Sequence, residues 1–488
     1  MKFPLLFSPE EQKILKSIYG VSRRNKVKLY LVGGVLRDML LKRKKENPDF
    51  DFCLKKHAIS FARRLARKIK AGFVILDRQH GACRLVKKIK DKVYTFDFTD
   101  FRGKTLEDDL LHRDFTINTL ALELEGALLK NRDLTDLVID FYGAKKDLKA
   151  KVISSVSKNS FAEDPLRILR AFSFSAILGF KIDETTKKML KLRKRKLAEV
   201  SFERIRDELF KIFTHHFCIE YLKQLDNLGI IEIIFPEIKK MRNIGQGPYH
   251  HLDVWQHTLE TIRQLELIFK EIKYDRRIES YLGQVVSGGR SRRQLLKLAA
   301  LLHDIGKPAA MRREAGKIKF YGHERIGVAI SLDIAKRLKL SNDEWESLKR
   351  IIQCHLRPGF LADTDEVTPR AIFRYFRDTK IDALSVLLIS LADQRATKGP
   401  QATRESRFRH ERLVAALIKK YFKKQEEKKP VRLVNGNELM RKFKLGPSPL
   451  IGKILLELEE LQAIGKLKNK SQAFKVSAQM IKEEGLKK

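Results

Sequence analysis

An apolar run, Leu29-Tyr30-Leu31-Val32, leads directly into Gly33-Gly34-Val35-Leu36-Arg37-Asp38, and an acidic pair, Asp49 and Asp51, follows shortly after. The run reads as a buried strand. The two glycines read as a turn into a helix starting near Val35, where backbone N–H groups can approach a phosphate. At the two-residue period of a strand, Asp49 and Asp51 project from one face and Phe50 and Phe52 from the other. Two carboxylates so placed can hold Mg²⁺ ions roughly 3.5–4 Å apart for in-line phosphoryl or nucleotidyl transfer. Taken singly, a Gly-Gly turn or an Asp-x-Asp is ordinary. Their ordered combination is not.

The chain around this stretch is long and basic. At 488 residues it exceeds what one hydrophobic core serves, so several domains are expected. Lys plus Arg exceed Asp plus Glu by 40, which points to a polyanionic partner rather than to a charged tail. Cys53, Cys83, Cys218 and Cys354 lack metal-site or redox spacing and read as buried thiols in a reducing cytoplasm. The short apolar start before Pro9 does not fit a signal peptide, and no run is long enough to cross a membrane, so the expected location is cytoplasmic.

Further along, Ser8-Pro9-Glu10-Glu11 signals a helix start. A basic helix is expected near Ala58–Ile69, followed by strands at Gly72–Leu76, Ala82–Val86 and Val93–Phe98. Asp97 on the last of these is a possible third acid, or an edge-strand residue facing water. Leu106–Asn118 reads as a helix on which Arg113, Asp114 and Asn118 fall at spacings that recur on one face. Phe161–Phe172 reads as another, with Pro165 in its first turn and Asp164 and Arg167 as neighbours.

The set Gly33, Gly34, Arg37, Asp49 and Asp51, then Arg113-Asp114 with Asn118, then Glu163-Asp164-x-x-Arg167, resembles the signature of the class II tRNA nucleotidyltransferase and bacterial poly(A) polymerase family. The resemblance implies that Asp49 and Asp51 are catalytic and hold Mg²⁺. It implies that Gly33, Gly34, Arg37 and Arg170 cradle the triphosphate, that Asp114 binds the ribose 2′-hydroxyl, and that Arg113 and Asn118 support sugar and triphosphate. Asp164 and Arg167 would read the base of CTP or ATP without a template, since an acid and a guanidinium offer fixed acceptors and donors. His112 stands where the family usually has arginine. Asp133–Leu137 and Phe141–Ala144 resemble the family's hinge, and Ser201–Leu209 its fifth motif, expected to brace the helical neck.

After a Gly-rich break at Ile244–Tyr249, His257, His303-Asp304 and Asp393 follow in order, with His323 and His355 between. His-Asp-Ile-Gly-Lys-Pro at 303–308 resembles the HD superfamily of metal-dependent phosphohydrolases. The resemblance implies a metal at His257, His303, Asp304 and Asp393, a transition metal or Mg²⁺, with His323 and His355 matching a second position. Val286–Arg293 reads as a mobile basic loop. A basic helix, Glu411–Lys424, and a charged linker, Gln425–Pro430, precede Leu433–Met440 and Leu445–Gly452. That last part resembles the tRNA-holding region of bacterial members, and free N–H groups near Gly452 could take an RNA phosphate.

The expected architecture is therefore an α/β nucleotidyltransferase head with a small mixed sheet (1–150), followed by a mostly α-helical neck (151–240), an HD domain (241–405) and a C-terminal tRNA-binding domain (406–488). The expected activity is addition of nucleotides of the 3′-terminal CCA to tRNA from CTP and/or ATP, gripping the acceptor stem and T-arm side by backbone shape. The sequence suits a monomer or a dimer. Only a short segment separates Asp97 from Arg113, whereas full CCA-adding members carry a longer flexible loop there that is implicated in switching from C to A. This leans towards a CC-adding enzyme. A-adding, complete CCA-adding and poly(A)-forming enzymes are the alternatives within the class; outside it stand an HD phosphohydrolase of nucleotides or cyclic phosphates and a passive RNA-binding protein.

Overall fold

In the computed structural model, residues 7–43, 49–125, 134–426 and 431–485 are described. They form two compact units that divide at His215 and His216. Met1 to Leu6, Asp133 of the hinge-like segment and residues 427–430 of the charged linker lie outside the described residues.

The first unit begins with the expected helix, Pro9–Arg24. Ser8 caps it through a reciprocal pair of hydrogen bonds with Glu11. Its centre is a six-stranded mixed sheet of β1 (Tyr30–Val32), β2 (Asp49–Leu54), β3 (Gly72–Asp77), β4 (Ala82–Ile89), β5 (Lys92–Asp100) and β6 (Ala121–Glu123), in the order β3-β4-β5-β2-β1-β6. Only β2 and β5 run parallel; the other neighbours are antiparallel. The alternation of β2 works as the period predicts. Phe50 and Phe52 stack on Phe96 and Phe98 of β5, with ring centroids 5.3 and 5.1 Å apart. Phe61 of the helix Ala58–Ile69 closes over Phe98, so this face is the buried one. Asp49 and Asp51 are thereby turned to the opposite face.

Three expectations are corrected. β5 lies in the interior of the sheet, so Asp97 is not an edge-strand residue. The helix at Leu106 stops at Leu111, and Thr116–Asn118 form a separate 3₁₀ turn. Between them the chain is extended at Phe115, which bridges to Ser155. The helix expected over 161–172 is broken as well: Ser160–Glu163 ends at Asp164, which is extended at φ −144°, and a new helix runs Arg167–Leu178. Pro165 explains this break, since the residue before a proline is pushed out of the helical region.

The second unit is almost entirely helical. Val254–Ile272 packs against Ala383–Ala396 and Arg292–Leu302, and His323–Arg337 against Asn342–Cys354. The segment expected as a mobile loop is a tight hairpin, Val285–Ser287 with Arg290–Ser291. Gly288 and Gly289 both take positive φ at its turn, and Arg290 is paired with Glu344. A buried ion pair, Lys297 with Glu266 at 2.9 Å, sits in the core, where Glu266 also accepts from the N–H of Cys218 at 2.6 Å. The last helices, Gly436–Phe443, Pro449–Ala463 and Lys470–Gly485, share their own core around Leu439, Ile454, Leu458 and Ala473. All four cysteines are free and buried, and no described helix is long and apolar enough to cross a membrane.

Candidate functional site

The first site lies on the open face of the head sheet. The glycine turn follows β1 directly, and Gly33 has φ +77°, a conformation that disfavours a side chain. A Cβ on Gly33 would lie 3.0 Å from Arg113 Nη1 and 3.3 Å from Asp51 Oδ2. The turn backbone, a catalytic-candidate carboxylate and a guanidinium therefore converge at one point. Asp49 is exposed at the start of β2. Asp97 stands beside Asp51 in register, but both of its oxygens accept from Arg84, each at 2.7 Å.

Behind this point runs a buried polar chain. Arg37 donates to Asp38 (3.0 Å) and to Asn118 Oδ1 (2.6 Å), and Asn118 Nδ2 donates to Asp114 Oδ1 (2.8 Å). Asp114 also accepts from the N–H of Phe115 at 2.8 Å, and from Arg170 Nε and Nη2 at 3.0 and 2.7 Å. Burial pushes the Asp114 carboxyl up, but the charge of Arg170 and the bonds from Asn118 and Arg170 outweigh it and hold the group below its ordinary range. Arg170 is itself steadied by Glu208, 3.5 Å away, and by the ring of Phe174.

Asp114 and Asn118 therefore meet, though through a 3₁₀ turn rather than along one helical face. Asp164 and Arg167 are not neighbours on a helix. Asp164 is paired with Arg204 at 2.8 Å. Arg167 is buried, donating to Ser160 Oγ (2.9 Å) and to the carbonyl of His112 (2.6 Å). Arg84 carries no signal in the sequence, and Arg204 and Glu208 lie in Ser201–Leu209, expected only to brace the helical neck. Glu208 had a signal of its own, since an acid on the apolar face of Phe202–Phe213 needs a buried partner.

The second site is in the second unit. Asp304 stands between two groups of histidines. Its Oδ2 is 3.2 Å from His303 Nε2 and 3.7 Å from His257 Nε2; its Oδ1 is 3.3 Å from His323 Nε2 and 3.9 Å from His355 Nε2. Asp393 Oδ1 lies 2.8 Å from His257 Nε2. His303, His323 and His355 each turn Nδ1 to a backbone carbonyl three residues earlier, at 2.9, 2.9 and 2.7 Å. This fixes Nε2 as the inward atom. Those three Nε2 atoms are buried with no hydrogen-bond partner among the described residues.

The donor set fits a divalent ion with nitrogen and oxygen ligands, and His257, His303 and Asp304, and again Asp304, His323 and His355, bring donor atoms within 4.8 Å of one another. Lys307 adds a cation 2.7 Å from Asp304 Oδ2 and is held by Gln246 at 2.6 Å. His250, packed edge-on against His257, also borders this centre. Burial disfavours the Asp304 carboxylate, yet the charges of His303 and Lys307 hold it well below its ordinary range. Burial, with the charge of His303 adding to it, pushes His355 down to about 3.

Comparison with known proteins matches four family descriptions: a poly(A) polymerase head domain over 29–154, a probable RNA and SrmB-binding site of polymerase A over 179–241, an HD domain over 254–398, and a putative tRNA nucleotidyltransferase domain 2 over 329–476. An A-adding tRNA nucleotidyltransferase of Deinococcus radiodurans is 31% identical over 448 residues, covering 90% of this chain and 92% of its own. A CC-adding tRNA nucleotidyltransferase of Thermus thermophilus is 28% identical, covering 91% of each. The solved structure of a Thermotoga maritima CCA-adding enzyme complexed with tRNA superposes with a TM-score of 0.61 at 21% identity, over 98% of this chain and 96% of that one, and shows the same fold. The polar chain behind Asp51 and the histidine centre thus sit in a fold and a sequence context of one kind, and the chain belongs to the tRNA nucleotidyltransferase family, with an HD domain in its second unit.

Proposed function

We propose that this enzyme builds the CCA end of tRNA and that its product is the CC step, drawn from CTP. One observation carries the choice of nucleotide. The connection from β5 to the helix at Leu106 is short and tied down. Thr105 and Asp108 cap each other, Asp108 also accepts from Lys104 N–H at 3.0 Å, and Arg102 donates to the carbonyl of His112 at 2.8 Å. A Cβ on Gly103 would collide with Asp108 Cβ, so the segment folds closely against the helix start that it caps. The 31% identity to an A-adding relative supports ATP as the second reading.

Asp49 and Asp51 would hold Mg²⁺, which when bound makes the tRNA 3′-hydroxyl a better nucleophile and screens the charge of the triphosphate. The hydroxyl attacks the α-phosphorus in line, and pyrophosphate leaves. Gly33 allows the triphosphate to approach backbone N–H groups closely. Asp114 accepts four hydrogen bonds, which fills about four acceptor positions of a carboxylate. A ribose 2′-hydroxyl therefore takes the place of Arg170, and the displaced guanidinium turns to the triphosphate. Asp164 takes up the base once it leaves Arg204, and Arg167 once it leaves Ser160 and the carbonyl of His112. Offering labelled CTP with a tRNA that lacks its CCA end, and labelled ATP with a tRNA that ends in CC, tests the reading: CMP incorporation into the first and no AMP incorporation into the second are expected, and AMP incorporation into the second without CMP incorporation into the first would favour the second reading.

The inward-facing Nε2 atoms around Asp304 support a second activity, hydrolysis of a phosphoester such as a 2′,3′-cyclic nucleotide, with a divalent ion held there. Purified wild-type protein is expected to carry the ion in stoichiometric amount by elemental analysis, and Asp304→Ala to lose both it and the hydrolysis. Equal metal content in the variant would refute the assignment.

A further inference from the structure

The two groups of histidines around Asp304 come from different parts of the second unit. His257, His303 and Asp393 lie on or at the ends of Val254–Ile272, Arg292–Leu302 and Ala383–Ala396, which pack against one another. His323 opens the helix His323–Arg337, and His355 caps the end of Asn342–Cys354. A close crossing joins the two groups, where the turn after Asp304 meets the first turn of His323–Arg337 at Gly306. A Cβ on Gly306 would collide with the carbonyl oxygen of His323 and lie 2.5 Å from Gly327 N. Gly306 has φ −81° and ψ −16°, values open to any residue, so the backbone does not call for glycine there. What calls for it is the lack of space. From the other side, a Cβ on Gly327 would meet Gly306 N and Ile352 Cγ2 at 3.5 Å each, an ordinary contact.

We propose that Gly306 is a positioning residue that decides whether the Asp304 centre holds one divalent ion or two. The inference rests on the reading of this centre as a metal site. Asp304 turns Oδ2 towards His303 and His257 and Oδ1 towards His323 and His355, so each oxygen has its own pair of imidazoles. With a side chain at 306, one partner of the crossing must withdraw by about 1 Å, more than the ~0.5 Å within which a metal constellation has to be held. The helix His323–Arg337 is the side that gives. Tyr321 and Gly322 before it are exposed, whereas Ile305 and Lys307 beside Gly306 are buried and Lys307 is held by Gln246. His323 Nε2, 3.3 Å from Asp304 Oδ1, is then carried away from its partner, while the donors on the Oδ2 side stay in place. The missing side chain thus admits the second ion without touching it.

Wild-type protein loaded with Mn²⁺ and desalted should retain about two ions per chain, with the electron paramagnetic resonance spectrum of a coupled pair. Gly306→Ala should retain about one, with the spectrum of an isolated ion, as should His323→Ala, whereas Gly327→Ala should match wild type. The chain's two tryptophans, Trp255 and Trp345, both lie in the second unit, so unchanged emission shows that this unit is folded. Two ions in Gly306→Ala would overturn the proposal. Loss of both ions, or altered tryptophan emission, would overturn it too, by making the glycine a requirement of the whole centre or of the fold. Wild-type protein with a single ion that His323→Ala leaves in place would overturn it by removing the second position, and wild-type protein with none would overturn it together with the metal-site reading.

Discussion

Asp114 shows how much a single side chain can organise. It is buried, yet it stays charged because Arg170, Asn118 and the N–H of Phe115 together outweigh the cost of burial. In Asp114→Ala the 2′-hydroxyl loses its acceptor, so the preference for CTP over dCTP should fall by about tenfold or more, the order of one hydrogen bond to a charged group. Comparing kcat/KM for the two nucleotides measures this, and an unaltered ratio would remove Asp114 from sugar recognition. The residues of both centres were legible in the sequence because their spacing is tied to chemistry: Asp49 and Asp51 by strand period, the histidines by their placement among apolar helices. Their partners were not legible. Arg204 on Asp164 and Arg84 on Asp97 are pairings between distant parts of the chain, and nothing local in the sequence encodes them.

At the scale of elements, helices and strands with clear periodicity formed where expected, including Ala58–Ile69 to the residue. The two corrected helices, at 106–118 and 161–172, share one cause. A spacing of three or four residues was read as helix, although a 3₁₀ turn after an extended residue brings Asp114 and Asn118 together equally well. Two breaks had visible signals, Pro165 after Asp164 and Gly288-Gly289 between short strands, the second being ordinary hairpin chemistry. The helices of the second unit are held by more than apolar contact. Lys297 and Glu266 form a fully buried ion pair that joins Arg292–Leu302 to Val254–Ile272. Lys297→Met removes the cation that faces the buried Glu266 carboxyl, and should cost about 3 kcal/mol or more in denaturant unfolding of that unit. A loss under about 1 kcal/mol would mean that the N–H groups of Cys218 and Ile219 satisfy Glu266 alone.

At the scale of the whole molecule, two units carry two different centres, and each centre is built wholly within its own unit. Their donor sets differ: carboxylates beside a glycine turn in the first, buried imidazoles around one aspartate in the second. The excess of 40 positive charges suits a partner as large and as charged as tRNA. What the fold alone leaves to residues is the product. The measurement that bears most directly on it is the mass of the 3′ end of a CCA-lacking tRNA after incubation with CTP and ATP together. The short, capped segment before Leu106 predicts an end extended by cytidines and no adenosine, with no extension in Asp51→Ala; an adenosine at the end, or extension by the variant, would contradict it.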